Sequence, residues 1–282
     1  MAAQTDAIAL ERDCFNRLRE RLYARQRVYY GDEARALFEK CVQERVAALN
    51  LGGAEEYVAR VEKEANAEEM CNLPSLLFAS AEGTQCRAQV RAVRERILPA
   101  LVSTRRSEGE RRVAIVSMSG DDGEEAYALA MALREALGEE IGGWDARVYC
   151  GRHTEEQMEQ ARAGRYRSLS PRNTPDEFEA RHFNREKTSF IVKSDVRSVV
   201  ELSLFEPDRP EEWKFPADAD VVFARAYLSC RGGEKRAGLV RAIHARMRPG
   251  GYLFISPNES LGDCEGLFNA VYYPKAVAYR RI

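Results

Sequence analysis

The apolar run Val113-Ala114-Ile115-Val116, followed within a few residues by Gly123 and the acidic pair Glu124-Glu125, constrains this chain more than any other stretch. Consecutive apolar residues of this kind read as a strand buried on both faces, the pattern of a parallel sheet. Gly123 lets the backbone come close to a ligand. Glu124 and Glu125 fall in the first turn of a helix, where the dipole favours negative charge. A strand, a glycine turn and an acidic helix start form one wall of a nucleotide-type pocket. A carboxylate there accepts a ligand's ammonium or hydroxyl proton and repels phosphate, so a dinucleotide or triphosphate site of the usual glycine-rich kind is disfavoured.

Around this unit the pattern alternates. Arg112 to Ser117 reads as strand, 124 to 137 as helix, Ala146 to Cys150 as strand and 154 to 162 as helix. After an interruption come strand Ala219 to Phe223, helix 234 to 247 and strand Tyr252 to Ser256. Such alternation predicts a mostly parallel sheet covered on both faces. Within the interruption, Phe190 to Lys193 and Val199 to Ser203 read as short neighbouring strands, which predicts a small antiparallel insertion at about 171–204. Ala270 to Tyr273 and Ala276 to Tyr279, separated by Pro274-Lys275, predict a closing hairpin or edge strand against the strand at 252–256. Upstream, Phe15, Leu18 and Leu22, then Leu37, Cys41 and Val42, then Tyr57, Val58 and Val61 recur at helical spacing. The reading is therefore an all-α domain at 1–72 and an α/β domain at 73–282, with the boundary at Asn72-Leu73-Pro74-Ser75, because proline disfavours helix at the residue before it. Arg87 to Leu98 reads as the first helix of the second domain.

Charge narrows the partners. With 43 basic and 45 acidic residues the net charge is −2, so no global pull toward nucleic acid or a membrane surface is expected. Arg17, Arg19, Arg21, Arg25 and Arg27 crowd together, but Glu11, Asp13 and Glu20 interleave with them, which suits a solvated helix better than an RNA-binding face. The seven cysteines are scattered, odd in number and without a Cys-x-x-Cys pair. A disulfide framework and a zinc knuckle are both disfavoured, and a cytoplasmic location fits. His153, His182 and His244 have no metal-ligand spacing and read as surface or packing residues, so no metal is expected. No signal peptide or membrane span is read.

The string Gly123-Glu124-Glu125-x-Tyr127-x-Leu129-Ala130-Met131 resembles the cofactor-binding segment of the CheR-type chemotaxis receptor methyltransferases. Ala161-Arg162-Ala163-Gly164-Arg165-Tyr166 is similar to that family's A-x-x-G-x-Y. Arg248-Pro249-Gly250-Gly251-Tyr252-Leu253-Phe254 and Asn258-Glu259-Ser260-Leu261 resemble its late strand and loop. Order and spacing agree over roughly residues 12 to 265, nearly the whole chain. The resemblance implies a class I, Rossmann-like methyltransferase sheet with a small antiparallel β-insertion and an N-terminal all-α domain. It further implies S-adenosylmethionine as methyl donor and glutamate carboxylates of a chemoreceptor or related signalling protein as acceptor.

Carried over residue by residue, the resemblance places cofactor contacts at Ser117, Gly123, Glu124, Arg152 and Ala226, and the transfer site at Arg87, Arg225 and Tyr227. Glu124 would meet the methionine part of the cofactor. Arg87 would orient the acceptor carboxylate or the cofactor with its bidentate fork. The chain departs from the family at several of these positions. The aspartate that accepts both ribose hydroxyls falls on Arg152, and a guanidinium has donors only. The family's asparagine falls on Ala226 and its tyrosine on Cys230, with Tyr227 three residues earlier. Its threonine falls on Gly83, and Asp121 and Asp122 stand where small or hydroxyl residues are usual. Arg152 is expected within salt-bridge reach of Asp122 or Glu124, in space the ribose would otherwise take.

The family's docking helix corresponds to Glu33 to Arg45, where Arg35, Lys40 and Arg45 balance Glu33, Glu39 and Glu44, so electrostatic docking on an acidic receptor helix is weakened. The segment Asn184 to Ser189 is short and glycine-free, and receptor-tail tethering is not expected. Two functions remain open: a divergent protein-glutamate methyltransferase, or a methyltransferase-like pseudoenzyme that has lost the cofactor and serves as a regulatory or interaction module.

Overall fold

The computed structural model describes residues 10–26, 30, 32, 35–63, 69, 73, 87–118, 123–166, 180–187, 189–225, 227–228, 233–256 and 259–282. The chain divides into two compact units between Thr84 and Gln85, beyond the boundary read from Pro74.

In the first unit the helical spacings produce helices α1 (Arg12–Gln26), α2 (Arg35–Leu49) and α3 (Ala54–Glu62). Their apolar faces close on one core of Phe15, Leu18, Leu22, Phe38, Val42, Tyr57 and Val58. Phe15 meets Phe38 edge-on with ring centroids 5.0 Å apart, a geometry the ring quadrupoles favour. Asn50 takes φ +52° where α2 ends, a backbone region that asparagine tolerates better than most residues. Arg17 of α1 reaches Glu55 and Glu62 of α3, both at 2.6 Å. The buried Cys14 thiol donates to Glu55 at 2.9 Å, and burial first, then that carboxylate, push its pKa up to about 11. Such a thiol stays protonated and poorly nucleophilic. Glu69, buried, accepts from Arg45 and from the Tyr57 hydroxyl.

The second unit is an α/β sheet. Its strands are β1 (Arg112–Ser117), β2 (Asp145–Arg152), β6 (Val200–Leu204), β7 (Ala219–Phe223), β8 (Met247–Phe254), β9 (Phe268–Tyr273) and β10 (Ala276–Arg281). They lie in the order β6-β2-β1-β7-β8-β10-β9. The first five run parallel, with Val113 opposite Ala146 and Ile115 opposite Val221. The hairpin β9–β10 adds antiparallel, Tyr279 facing Leu253, as its sequence predicts. Helix α4, residues 87–107, contains a π-helical turn at Val93–Ile97. It packs with α5 (Glu124–Leu137) on a core that includes Val93, Leu98, Leu129, Leu133, Ile115 and Val148. Helices α6 (Glu155–Ala163) and α7 (Gly233–Ala245) complete the unit's longer helices.

The insertion differs from the expectation in its membership. The small antiparallel sheet has the order β3-β5-β4, from Arg165–Tyr166, Ser189–Val192 and Phe183–Glu186. Segment 199–203, read as the antiparallel partner of 190–193, contributes Val200–Leu204 to the main sheet instead, parallel to β2 with Val148 opposite Val200. Short alternating runs carry no information on which edge they join, and a helical turn at Ser194–Arg197 separates the two strands.

At the amino edge of the sheet, the start of β7 holds buried Asp220. It accepts from Arg105 Nη2 at 2.7 Å and from the Ala114 backbone N–H at 2.9 Å. Glu110 binds Arg248 through both oxygens, at 2.7 and 2.8 Å. The Arg248 hydrogen bonds hold the Glu110 carboxyl below the usual range. A depressed carboxyl stabilises the fold fully above its unfolded pKa, near 4.3, and loses that contribution as pH falls through the folded value. Denaturant titration of Glu110→Gln against the parent is therefore expected to show a stability gap at pH 7 that closes below about pH 4. An unchanged gap at low pH would contradict this assignment.

Candidate active-site cleft

The parallel sheet reverses its winding at β1 and β7, and ligands in open α/β sheets bind at the carboxyl ends of strands beside such a reversal. The carboxyl ends here carry Ser117 (β1), Arg152 (β2), Leu204 (β6) and, just past Phe223, Arg225 (β7). Most of the residues singled out from sequence gather at this edge. Ala226, Asp121, Asp122 and Cys230 lie outside the described residues.

Gly123 caps α5 with φ +95°, a region that glycine enters without a Cβ penalty. A Cβ there would also stand 3.0 Å from the Ala161 Cβ. The Tyr127 hydroxyl donates to the Ala161 carbonyl at 2.7 Å. The two motifs, separate in sequence, are thus one packed unit: the glycine turn rests on α6, and the tyrosine one helical turn later fastens it.

The adjacent glutamates take opposite roles. Glu124 is exposed, while Glu125 is 2% exposed. Glu125 accepts from the Ser117 hydroxyl at 2.7 Å and from Arg225 Nη1 at 2.8 Å. Arg225 is itself 1% exposed, so this ion pair ties the ends of β1 and β7 to the start of α5 beneath the cleft. Arg225, expected at the transfer site, is a buried partner of Glu125 here. The sequence reading missed Glu125, although its phase signals it: Glu125 stands four residues before Leu129 and eight before Leu133, on the core-facing stripe.

Arg152 has no exposed surface, and its Nη1 donates to the Gly151 carbonyl at 2.7 Å. Asp122, one expected partner, is outside the described residues, and Glu124, the other, is exposed. Around Arg152 the chain is tightly closed. The Phe205 N–H donates to the Arg152 carbonyl at 2.7 Å, prolonging the β2–β6 ladder. At Gly151 a Cβ would meet the Phe205 side chain at 2.8 Å, so only glycine permits that approach. Phe205, Trp213 and Phe215 form an aromatic cluster with centroids 5.2–6.0 Å apart.

Tyr227 belongs to this cluster. It is 7% exposed, its ring stands edge-on to Phe205, and its hydroxyl lies 2.7 Å from His153 Nε2. His153 Nδ1 lies 2.9 Å from the Phe205 carbonyl. Since that carbonyl only accepts, Nδ1 carries the proton in this contact, and in the neutral ring Nε2 is left to accept a hydrogen bond from the Tyr227 hydroxyl. His153, read as a surface or packing residue, therefore links the ends of β2, β6 and β7. Glu259 bridges the loops after β7 and β8, accepting from the Leu228 N–H at 2.6 Å and the Ser256 N–H at 2.8 Å. Arg87 is exposed at the start of α4. Two residues on, Gln89 donates to the Ile255 carbonyl at 2.8 Å, which pins that helix start to the end of β8.

The fit to an adenosyl cofactor is partial. Exposed Glu124 beside the Gly123 turn suits an ammonium group. At the end of β2 stands Arg152, a donor-only side chain that has no exposed surface and meets no ligand without moving. Among the described residues no cluster of His, Cys, Asp or Glu could hold a metal ion. No helix among them is long and apolar enough to cross a membrane.

This topology and the packed glycine–tyrosine unit define a class I methyltransferase fold. Residues 85–277 match the family described as "CheR methyltransferase, SAM binding domain". The chain belongs to that family. It is 26% identical over 267 residues to the chemotaxis protein methyltransferase of Salmonella typhimurium, spanning 92% of this chain and 88% of that protein. Chemotaxis protein methyltransferase 1 of Pseudomonas aeruginosa is 27% identical over 196 residues, covering 67% of this chain and 68% of its own length. The Escherichia coli chemotaxis protein methyltransferase is 26% identical over 273 residues, covering 94% and 90%.

Proposed function

We propose that this protein is a CheR-family methyltransferase fold that has lost S-adenosylmethionine as a working cofactor and acts in the cytoplasm as a regulatory or interaction module on a chemoreceptor or related signalling protein. The observation that carries this reading is the wholly buried Arg152 at the end of β2. Burying a guanidinium requires compensating partners, and a side chain held that way is part of the packing. The engagement of Tyr227 with His153 supports the reading, because the hydroxyl is already bound inside the cluster.

A second reading, a divergent enzyme that methylates protein carboxylates, is favoured by exposed Glu124 in the first turn of α5 after the Gly123 turn. Methyl transfer from a sulfonium to a carboxylate needs alignment more than acid–base help, so a weakened transfer site would slow it without abolishing it.

Isothermal titration calorimetry with S-adenosylmethionine and S-adenosylhomocysteine separates the two. The pseudoenzyme reading expects no heat of binding at millimolar ligand, and stoichiometric binding of either ligand overturns it. An Arg152→Asp variant, which restores an acceptor at the end of β2, is expected to gain measurable affinity. If a folded Arg152→Asp protein gains none, Arg152 is not the element that blocks the site.

A further inference from the structure

The β4–β5 hairpin of the insertion meets α5 through two feet, and they rest on adjacent residues of that helix. At one foot, Arg134 donates to the Asp195 carboxylate at 2.6 Å and to the Asp195 carbonyl at 3.0 Å. At the other stands His182, the residue before β4, with its Nε2 3.4 Å from Glu135 Oε1. The hairpin closes directly on this histidine: the Lys193 N–H donates to the His182 carbonyl at 2.9 Å, and Phe183 stands opposite Val192. Val192 and Phe183 pack on the core that includes Leu129 and Leu133 of α5. His182 is 5% exposed, so its ring is part of that contact.

The surrounding charges decide which form of His182 belongs there. Glu135 already holds two guanidiniums, Arg94 of α4 at 3.1 Å and Arg181 of the hairpin's own foot at 3.3 Å. Arg134 of α5 is committed to Asp195, and the Lys193 ammonium donates to the Ala180 carbonyl at 2.6 Å. Among the described residues, Arg94, Arg134, Arg181 and Lys193 thus face the two carboxylates of Glu135 and Asp195. A protonated His182 would be a third cation on one carboxylate, out of water and at a contact too long for a strong charge-assisted bond. The neutral ring fits: with its proton on Nε2 it donates to Glu135 and adds no charge. Burial accordingly holds the His182 pKa below its ordinary value, Arg181 and Arg134 act in the same direction, and Glu135 offsets part of this.

We propose that His182 is a proton-operated latch: neutral, it lets the β4–β5 hairpin dock on α5, and its protonation favours release of the hairpin. A histidine whose docked pKa is depressed contributes stability above its free value, near 6.5, and loses that contribution as pH falls through 6.5 toward the docked value. The other foot contains no histidine, so mild acid acts on one foot and leaves the Asp195 tether in place. None of these residues belongs to the cleft, so the latch stands or falls apart from the cofactor reading.

Hydrogen exchange of the full chain by mass spectrometry at pH 7.5 and 5.5, corrected for the intrinsic pH dependence of exchange, tests this. The β4 and β5 amides are expected to lose roughly two- to fivefold of their protection at the lower pH. His182→Gln keeps a donor toward Glu135 and gains no charge in acid, so it is expected to abolish that loss. In the parent, the NMR titration of the His182 ring is expected to have its midpoint below about 6.5. A midpoint at or above that value overturns the proposal, and this measurement does not depend on whether the variant folds. Hairpin protection that is the same at both pH values, or that falls equally in a folded His182→Gln protein, also overturns it.

Discussion

Replacing Glu125 by alanine is expected to destabilise the sheet unit by about 3–5 kcal/mol, because it breaks the buried ion pair with the Arg225 guanidinium. The same change takes an acceptor from the Ser117 hydroxyl, so the ends of β1 and β7 and the start of α5 lose their common anchor. Glu125→Gln keeps the shape and one acceptor oxygen for Arg225, while it loses the charge and turns the other oxygen into a donor toward Ser117, so its cost should be smaller. Chemical denaturation followed by circular dichroism measures both. Glu124→Ala is the contrast: an exposed residue in the same helical turn should change stability by no more than about 0.5 kcal/mol. Equal losses for Glu124→Ala and Glu125→Ala would show that the cleft floor does not rest on this ion pair.

The second large effect lies at the opposite edge of the sheet. Asp220→Ala removes one carboxylate that serves two elements, accepting from Arg105 in α4 and from the Ala114 N–H in β1. Arg105 is 8% exposed and Asp220 3%, and Arg105 keeps Glu110 at 3.0 Å when Asp220 is gone, so the loss should be about 2–4 kcal/mol. For a unit of this size that corresponds to a melting temperature lower by roughly 4–16 °C. Differential scanning fluorimetry reads it directly, and a shift below about 2 °C would mean that the Arg105–Glu110 pair suffices without Asp220. The two sites lie at opposite ends of the strands and share no partner among the described residues, so the double variant Glu125→Ala, Asp220→Ala should show additive losses.

Much of this architecture was legible because its signals are local. The apolar run at 113–116, the stripe through Leu129 and Leu133, and the turn Pro274-Lys275 each set a periodicity or a break that short-range sterics enforce. The place of 200–204 was not legible. A strand of five residues looks the same whether it joins a small antiparallel sheet or the edge of a large parallel one, and only pairing with Val148 to Arg152 decides. The candidate site divides similarly. Ser117, Gly123, Glu124, Arg152, Arg225 and Tyr227 could be named from the family resemblance, and the sheet brings them to one edge. Their roles could not, because role depends on which side of a turn a side chain leaves. One residue separates exposed Glu124 from buried Glu125, and about 100° of helical rotation makes the difference. His153 could not be placed either, since its contacts come from residues 52 and 74 positions away.

The sequence alone determined the order and type of the main elements and the family, because each is carried by residue identity and short-range pattern. The tertiary structure decided that Arg152 is enclosed, that Glu125 rather than Glu124 holds Arg225, and that Tyr227 is bound to His153. Burial and hydrogen bonding are properties of the assembled sheet, fixed only when distant strands set the register between them.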